Sequence, residues 1–184
     1  MAVVYAFLAD VLEEVECLAT ADVLIRAGVK VKLVSITGKK EVKCAHGFGI
    51  HAYALLHEVD PMKADLLFLP GCMPGTKNLM ACKPLCDALV HADAAGKRLA
   101  AICAAPSILG QLGLLKDKKA TCYPGFEDAL TGAKLTGAGV VTDDNITTAR
   151  GLGYALDLGI ELASLLVDRP VALQVKDSIQ YDQV

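Results

Sequence analysis

The chain has no tryptophan and only four phenylalanines and five tyrosines in 184 residues, so it offers few of the aromatic platforms on which nucleic-acid bases stack. It also lacks a basic excess. Eighteen Lys and Arg stand against 21 Asp and Glu, a net charge of -3, and neither nucleic acid nor another polyanion is expected as a partner. Long hydrophobic runs are missing: the apolar stretches are strand-sized and broken by charge, which argues against a membrane-spanning helix. No basic segment precedes the first apolar stretch before Asp10, so no signal peptide is expected either. Seven cysteines, an odd number without a CxxC pair, fit a reducing cytoplasmic setting better than a disulfide framework. Cys82 and Cys86 stand four apart but have no second ligand pair nearby, so a zinc site is not expected there. GxGxxG, P-loop and HExxH motifs are absent, and with them the sequence marks of dinucleotide, nucleoside triphosphate and metallopeptidase sites.

What the chain does contain is alternation. Strand-like runs at residues 2–8, 29–36, 65–69, 98–102 and 119–122 are interleaved with helical patterns, the signature of an α/β domain with a mostly parallel sheet. Helices are expected over 13–26, where Val15, Leu18, Ala19, Val23 and Leu24 supply an apolar face and Gly28 the stop, over 84–95, from the Cys103 turn to Leu115, and over 152–167. Residues 40–44 and 48–52 flank Ala45-His46-Gly47 as a small hairpin, and 140–142 and 146–148 flank an Asp144-Asn145 turn as another. The tail, 170–184, adds a short helix with a frayed end. The whole, 1–184, reads as one domain, without repeats or linkers.

One segment points to chemistry. In Leu99-Ala100-Ala101-Ile102-Cys103-Ala104-Ala105-Pro106 an apolar strand ends on a cysteine, followed by small residues and a proline suited to a helix's first turn. At a helix N-terminus the unpaired amides favour an anion, so the Cys103 thiol is expected to fall below its ordinary pKa and act as a nucleophile. Buried free cysteines are also common as small hydrophobes, and the local pattern leaves that alternative open.

Three motifs in order, Asp10-Val11-Leu12-Glu13-Glu14-Val15-Glu16, Leu69-Pro70-Gly71 and Ala100-Ala101-Ile102-Cys103-Ala104-Ala105-Pro106, resemble the ThiJ/PfpI superfamily over residues 2–176, in its deglycase and glyoxalase III-like branch. The resemblance implies a flavodoxin-like three-layer α/β sandwich, usually a homodimer, with the cysteine on a nucleophile elbow. It also implies catalysis without metal or nucleotide. Glu16 is then the acidic partner of Cys103, and the backbone amides of Cys72 and Ala104 are the expected donors to the reacting oxygen. A carboxyl held against a thiolate is driven to keep its proton, and a neutral Glu16 donates it to sulfur. His46, in the hairpin turn, and Arg26 fall where the resemblance places groups near a dimer interface, and Tyr123 falls in the substrate pocket. Glu13 and Glu14 read as acids favoured at a helix start, and His46, His51, His57 and His91 as solvated or turn residues, His46 being the exception to follow.

The implied substrate is a small dicarbonyl such as methylglyoxal or glyoxal, or an early glycation adduct. Two other classes compete. A redox sensor or chaperone would use oxidation of the same thiol as its signal. A cysteine peptidase or amidase would need a base, and Ala104 stands where the peptidase-like branches carry a histidine directly after the nucleophile.

Overall fold

The computed structural model describes residues 1–181; the chain's expected frayed end, 182–184, lies outside the described residues. Seven strands form the central sheet: β1 (Val3–Leu8), β2 (Lys30–Ser35), β5 (Ala54–Leu55), β6 (Leu66–Leu69), β7 (Arg98–Ile102), β10 (Val140–Asp143) and β11 (Ile146–Ala149). Their order is β10-β11-β7-β6-β1-β2-β5, and only the β10–β11 pair is antiparallel. Two-stranded ribbons stand apart from it: β3 (Glu41–Lys43) with β4 (Gly49–His51), and β8 (Lys119–Ala120) with β9 (Lys134–Leu135). The helices are α1 (Glu14–Arg26), α2 (Gly75–Ala81), α3 (Lys83–Ala94), α4 (Pro106–Gln111), α5 (Ala155–Leu166) and α6 (Arg169–Ser178).

Strand periodicity divides the core in two. Val4, Ala6 and Leu8 of β1, Leu66 and Phe68 of β6 and Ala100 and Ile102 of β7 face α1, α5 and α6. Tyr5, Phe7, Leu67, Leu69, Leu99 and Ala101 face the other way, onto Leu79, Leu85, Leu89, Ile108 and Leu109 of α2, α3 and α4. Because helices cover both faces, these strands are apolar throughout, and each fully buried Leu or Phe contributes about 1.5–3 kcal/mol. Helix α5 lies close on α1 because residue 159 is glycine: a Cβ there would stand 2.7 Å from the Val23 Cβ.

Several expectations need correction. Val15 and Leu18 do not face the core: they are exposed, and α1 instead buries Glu14, Glu16, Cys17, Thr20, Ala21, Val23 and Leu24. Val23 and Leu24 of the expected face are in the core and Ala19 packs against it, whereas Val15 and Leu18 point outward together with Ile25. Helix α4 begins at Pro106 and ends at Gln111, so Cys103 sits in a turn ahead of it rather than on its first residue. Strand 119–122 shrinks to two residues and joins β9 outside the main sheet. Residues 75–81, without an assigned element in the sequence reading, form α2.

Candidate active site

The strand order runs outward from β1 in both directions, through β2 on one side and β6 on the other, so neighbouring loops part at the C-terminal ends of β1 and β6. Open α/β sheets hold ligands at such a divergence. Glu16 follows β1, Gly71 and Cys72 follow β6, and Cys103 follows β7, so three adjacent parallel strands deliver them to one place.

The backbone is strained there. Val11, Cys72 and Cys103 adopt φ of 63°, 83° and 64°, a region costing about 1–3 kcal/mol for residues other than glycine. The Cys103 turn is held by its N–H donating to the Ala149 carbonyl at 2.9 Å and by its carbonyl accepting from the Tyr123 N–H at 2.8 Å. At the other end, Glu13 caps α1, its side chain accepting from the Val15 N–H at 3.2 Å.

Glu16 is 1% exposed. One carboxyl oxygen accepts from the Gly71 N–H at 3.0 Å, and the group also hydrogen-bonds the Cys103 thiol and the Leu152 backbone. Burial raises its pKa from 4.5 to about 7, with the nearby Glu13 charge adding to the rise and these hydrogen bonds opposing it. The backbone amides of Cys72 and Ala104 both hydrogen-bond the Cys103 sulfur.

The expectation of a depressed thiol pKa is overturned: Cys103 is pushed up to about 12, first by burial and second by the Glu16 charge, with the two amides pulling the other way. The physical reason is placement. The sulfur precedes the short α4 by a turn, so it gains two directed amides but little macrodipole, while it faces a carboxylate in a desolvated site. Glu16's contribution exists only while Glu16 is ionised, so the pair titrates as a unit that holds one proton between about 7 and about 12.

This has a consequence for stability. In the unfolded chain Glu16 loses its proton around 4.5, whereas the folded protein keeps it to about 7, so folding is favoured by this group at low pH and loses that support as pH rises between the two. The loss amounts to about 3 kcal/mol. Urea unfolding of wild type and Glu16→Gln across that range should show the difference between them changing by this amount and levelling above pH 7. Parallel curves for the two proteins would contradict it.

The remaining predicted residues are distributed around this pair. Tyr123 is half exposed and lines, with Pro124, Arg150, Gly151, Leu152 and Tyr154, a cavity of about 330 Å³. Leu152 ties that cavity to Glu16, so Tyr123 stands at the site's edge. His46 does not extend away from its own chain: its Nδ1 lies 3.1 Å from Glu14 and 3.6 Å from Glu13, and its side chain is 62% exposed. Arg26 is at the far end of α1, in an exposed pair with Asp22 at 2.6 Å, and does not meet Cys103. His51 pairs with Glu41 across the β3–β4 ribbon, while His57 and His91 line a separate cavity. Cys86 donates to the Met80 carbonyl at 3.3 Å.

Sequence reasoning named Gly71 within a motif but missed why that position must be glycine. A Cβ on Gly71 would stand 2.6 Å from the Cys103 Cβ, 2.6 Å from the Ile102 carbonyl oxygen and 2.8 Å from a Glu16 carboxyl oxygen, so glycine is required for the pair to close. The Leu152 amide was also missed, because a backbone donor has no sequence signal.

With this geometry in view, comparison with known proteins is decisive: residues 2–165 match the model of the DJ-1/PfpI family. The chain belongs to the DJ-1/PfpI family. Protein DJ-1 homolog B of Arabidopsis thaliana is 36% identical over 165 residues, covering 89% of this chain but 38% of the relative, so the chain spans well under half of that protein's length. The glutathione-independent glyoxalase DJR-1.2 of Caenorhabditis elegans is 31% identical over 156 residues, 84% of this chain and 82% of the relative. Among solved structures, the oxidized form of Toxoplasma gondii DJ-1 superposes with a TM-score of 0.95 at 29% identity, covering 100% of both chains. The flavodoxin-like sandwich of that family is thus this protein's fold. Among the described residues, no helix is long and apolar enough to cross a membrane.

Proposed function

We propose that the protein is a cofactor-independent glyoxalase III or deglycase-like enzyme that uses Cys103 on methylglyoxal, glyoxal or their early adducts. The supporting observation is the Glu16–Cys103 pair, which holds one proton between a thiol and a carboxyl while two backbone amides aim at the sulfur. Sulfur adds to the aldehyde carbon as its proton passes to Glu16, giving a hemithioacetal whose oxygen the Cys72 and Ala104 amides stabilise. Glu16 hands the thiol proton to that oxygen and, again a carboxylate, takes the proton of the former aldehyde carbon to give an enediol; returning it to the neighbouring carbon while the hydroxyl proton moves to that carbon's oxygen leaves a 2-hydroxy thioester. Water cleaves the thioester, so methylglyoxal plus water leaves as lactate and the thiol is regenerated. A glyoxalase among the relatives, named as independent of glutathione, fits a protein thiol in glutathione's place. Seven free cysteines fit a reducing, cytoplasmic setting.

The test is Glu16→Gln, followed by lactate formation in NMR spectra. Turnover should fall by about 10²–10⁴-fold while Cys103 remains open to alkylation, because the amide keeps a hydrogen bond but carries no proton between carbons. In wild type kcat/KM should rise as pH climbs through about 7, where the pair loses its first proton, and the variant should lack that rise. Wild-type turnover in Glu16→Gln would remove the carboxyl from the mechanism.

The same reading includes a homodimer. Val15, Leu18 and Ile25 of α1 form an exposed apolar stripe, with Tyr53, 60% exposed, lining the same surface as Leu18 and Ile25, and a second copy is the partner that would cover it. Leu18→Glu should convert a two-chain species into a single chain in sedimentation equilibrium at micromolar concentration. A wild-type protein that already sediments as one chain would end this part of the proposal.

A further inference from the structure

Beside the cysteine site, the first turn of α1 meets the tip of the β3–β4 ribbon in an arrangement that the catalytic reading does not use and that borders the proposed dimer face. Glu13 and Glu14 are 7% and 4% exposed, unusual for adjacent carboxylates, and carry at most one facing positive charge, His46. Among the described residues no other cation pairs with either acid. Each acid presents one oxygen to the ring. One Glu13 oxygen is committed to the Val15 N–H, while the other lies 3.6 Å from His46 Nδ1. One Glu14 oxygen lies 3.1 Å from the same nitrogen, and Glu14 Oε2 is buried without any partner.

A buried carboxylate oxygen without a donor is costly, about 1–3 kcal/mol or more for a charged group. A ring N–H answers only one oxygen of the two acids. A dication takes one oxygen from each acid together with the ring nitrogen.

We propose that Glu13, Glu14 and His46 form a binding site for a divalent first-row transition-metal ion, of which zinc is the type, at the rim of the Cys103 site. Ligand atoms from the three residues all lie within 4.8 Å of one another, the one such cluster of His, Cys, Asp or Glu among the described residues. Oxygen and nitrogen donors around an ion at about 2.0–2.2 Å stand roughly 3–4 Å apart, so the carboxylates and ring need move only slightly to close on it. One imidazole with two carboxylates suits zinc, manganese or iron(II) rather than a soft copper(I). Three protein ligands leave a coordination position open to solvent on the exposed His46 side, where water or an external ligand completes the shell. The site is separate from the proposed catalysis, which requires no metal.

Cobalt(II) is the probe, added to the full chain without any affinity tag, with zinc then used to displace it. One equivalent should bind and give visible d–d absorption without the near-ultraviolet sulfur-to-cobalt charge-transfer band, and the same should hold in Cys103→Ser. His46→Ala, at an exposed position that folding does not depend on, should weaken binding by about tenfold or more, and Glu14→Gln by at least as much. A charge-transfer band would place the metal on a cysteine and overturn the assignment. Unchanged affinity in His46→Ala would do the same, as would a Glu14→Gln protein whose dimerisation shifts while its cobalt affinity does not.

Discussion

Replacing Cys103 by alanine is expected to reduce lactate formation from methylglyoxal to background, a loss of at least ~10³-fold, because no other group is placed to form the covalent intermediate. Cys72 contributes an amide, not a competing nucleophile: its thiol turns to the Met73 carbonyl at 3.7 Å, and burial together with Glu13, Glu16 and Glu14 raises its pKa. Cys17 is fully buried and Cys44 is pushed up to about 11 by burial and by Glu14, Glu13 and Asp10. The fold should survive, because the substitution removes one sulfur from a half-buried position and leaves the elbow's hydrogen bonds to Ala149 and Tyr123, which are backbone bonds. Comparable urea midpoints with activity gone would therefore locate the chemistry at the sulfur. Turnover within tenfold of wild type would sink the nucleophile.

Gly71→Ala is expected to lower stability and rate together, without replacing any ionisable group. The added methyl meets the Cys103 Cβ and the Ile102 carbonyl at 2.6 Å, neither of which is the free end of a flexible chain, as well as a Glu16 oxygen at 2.8 Å. The strands must part or the pair must open, at about 1–3 kcal/mol of stability for overpacking. Misplacing the reacting groups by about 1 Å costs on the order of 10²-fold in rate, so activity should fall by that factor. Gly153→Ala is the control: it lies on the cavity wall, yet a Cβ there meets nothing within 4 Å. Its activity should stay within a few-fold of wild type, and equal losses in both variants would show that crowding at Gly71 is not the cause.

The elbow was legible because its residues announce a backbone event: a strand of Leu99-Ala100-Ala101-Ile102, then small residues and Pro106, matching β7, the turn and α4. The two hairpins were legible from their turns, His46-Gly47 and Asp144-Asn145, and α1's end from Gly28, whose φ is 81°. The side that α1 buries was legible only in part. Val23 and Leu24 were expected in the core and are there, but Val15 and Leu18 have the same helical spacing, and nothing local reveals that Cys17 and Ala21 are buried in their place. Glu13 and Glu14 stand at the helix start, where acids were expected, but nothing local reveals that the fold buries both.

By itself, then, the sequence determined the alternation of strands and helices, the strand-to-turn cysteine and the absence of nucleic-acid and nucleotide-binding motifs, all properties carried by neighbours along the chain. The tertiary structure decided the rest: that Glu16, Gly71 and Cys103, up to 87 residues apart, meet within hydrogen-bonding contact, and that their titration is coupled. It also decided that the thiol is pushed up rather than down. The reason is that a local pattern sets backbone geometry, whereas desolvation and charge proximity depend on which distant segments close over a group, and parallel strands bring together residues with no periodicity in common.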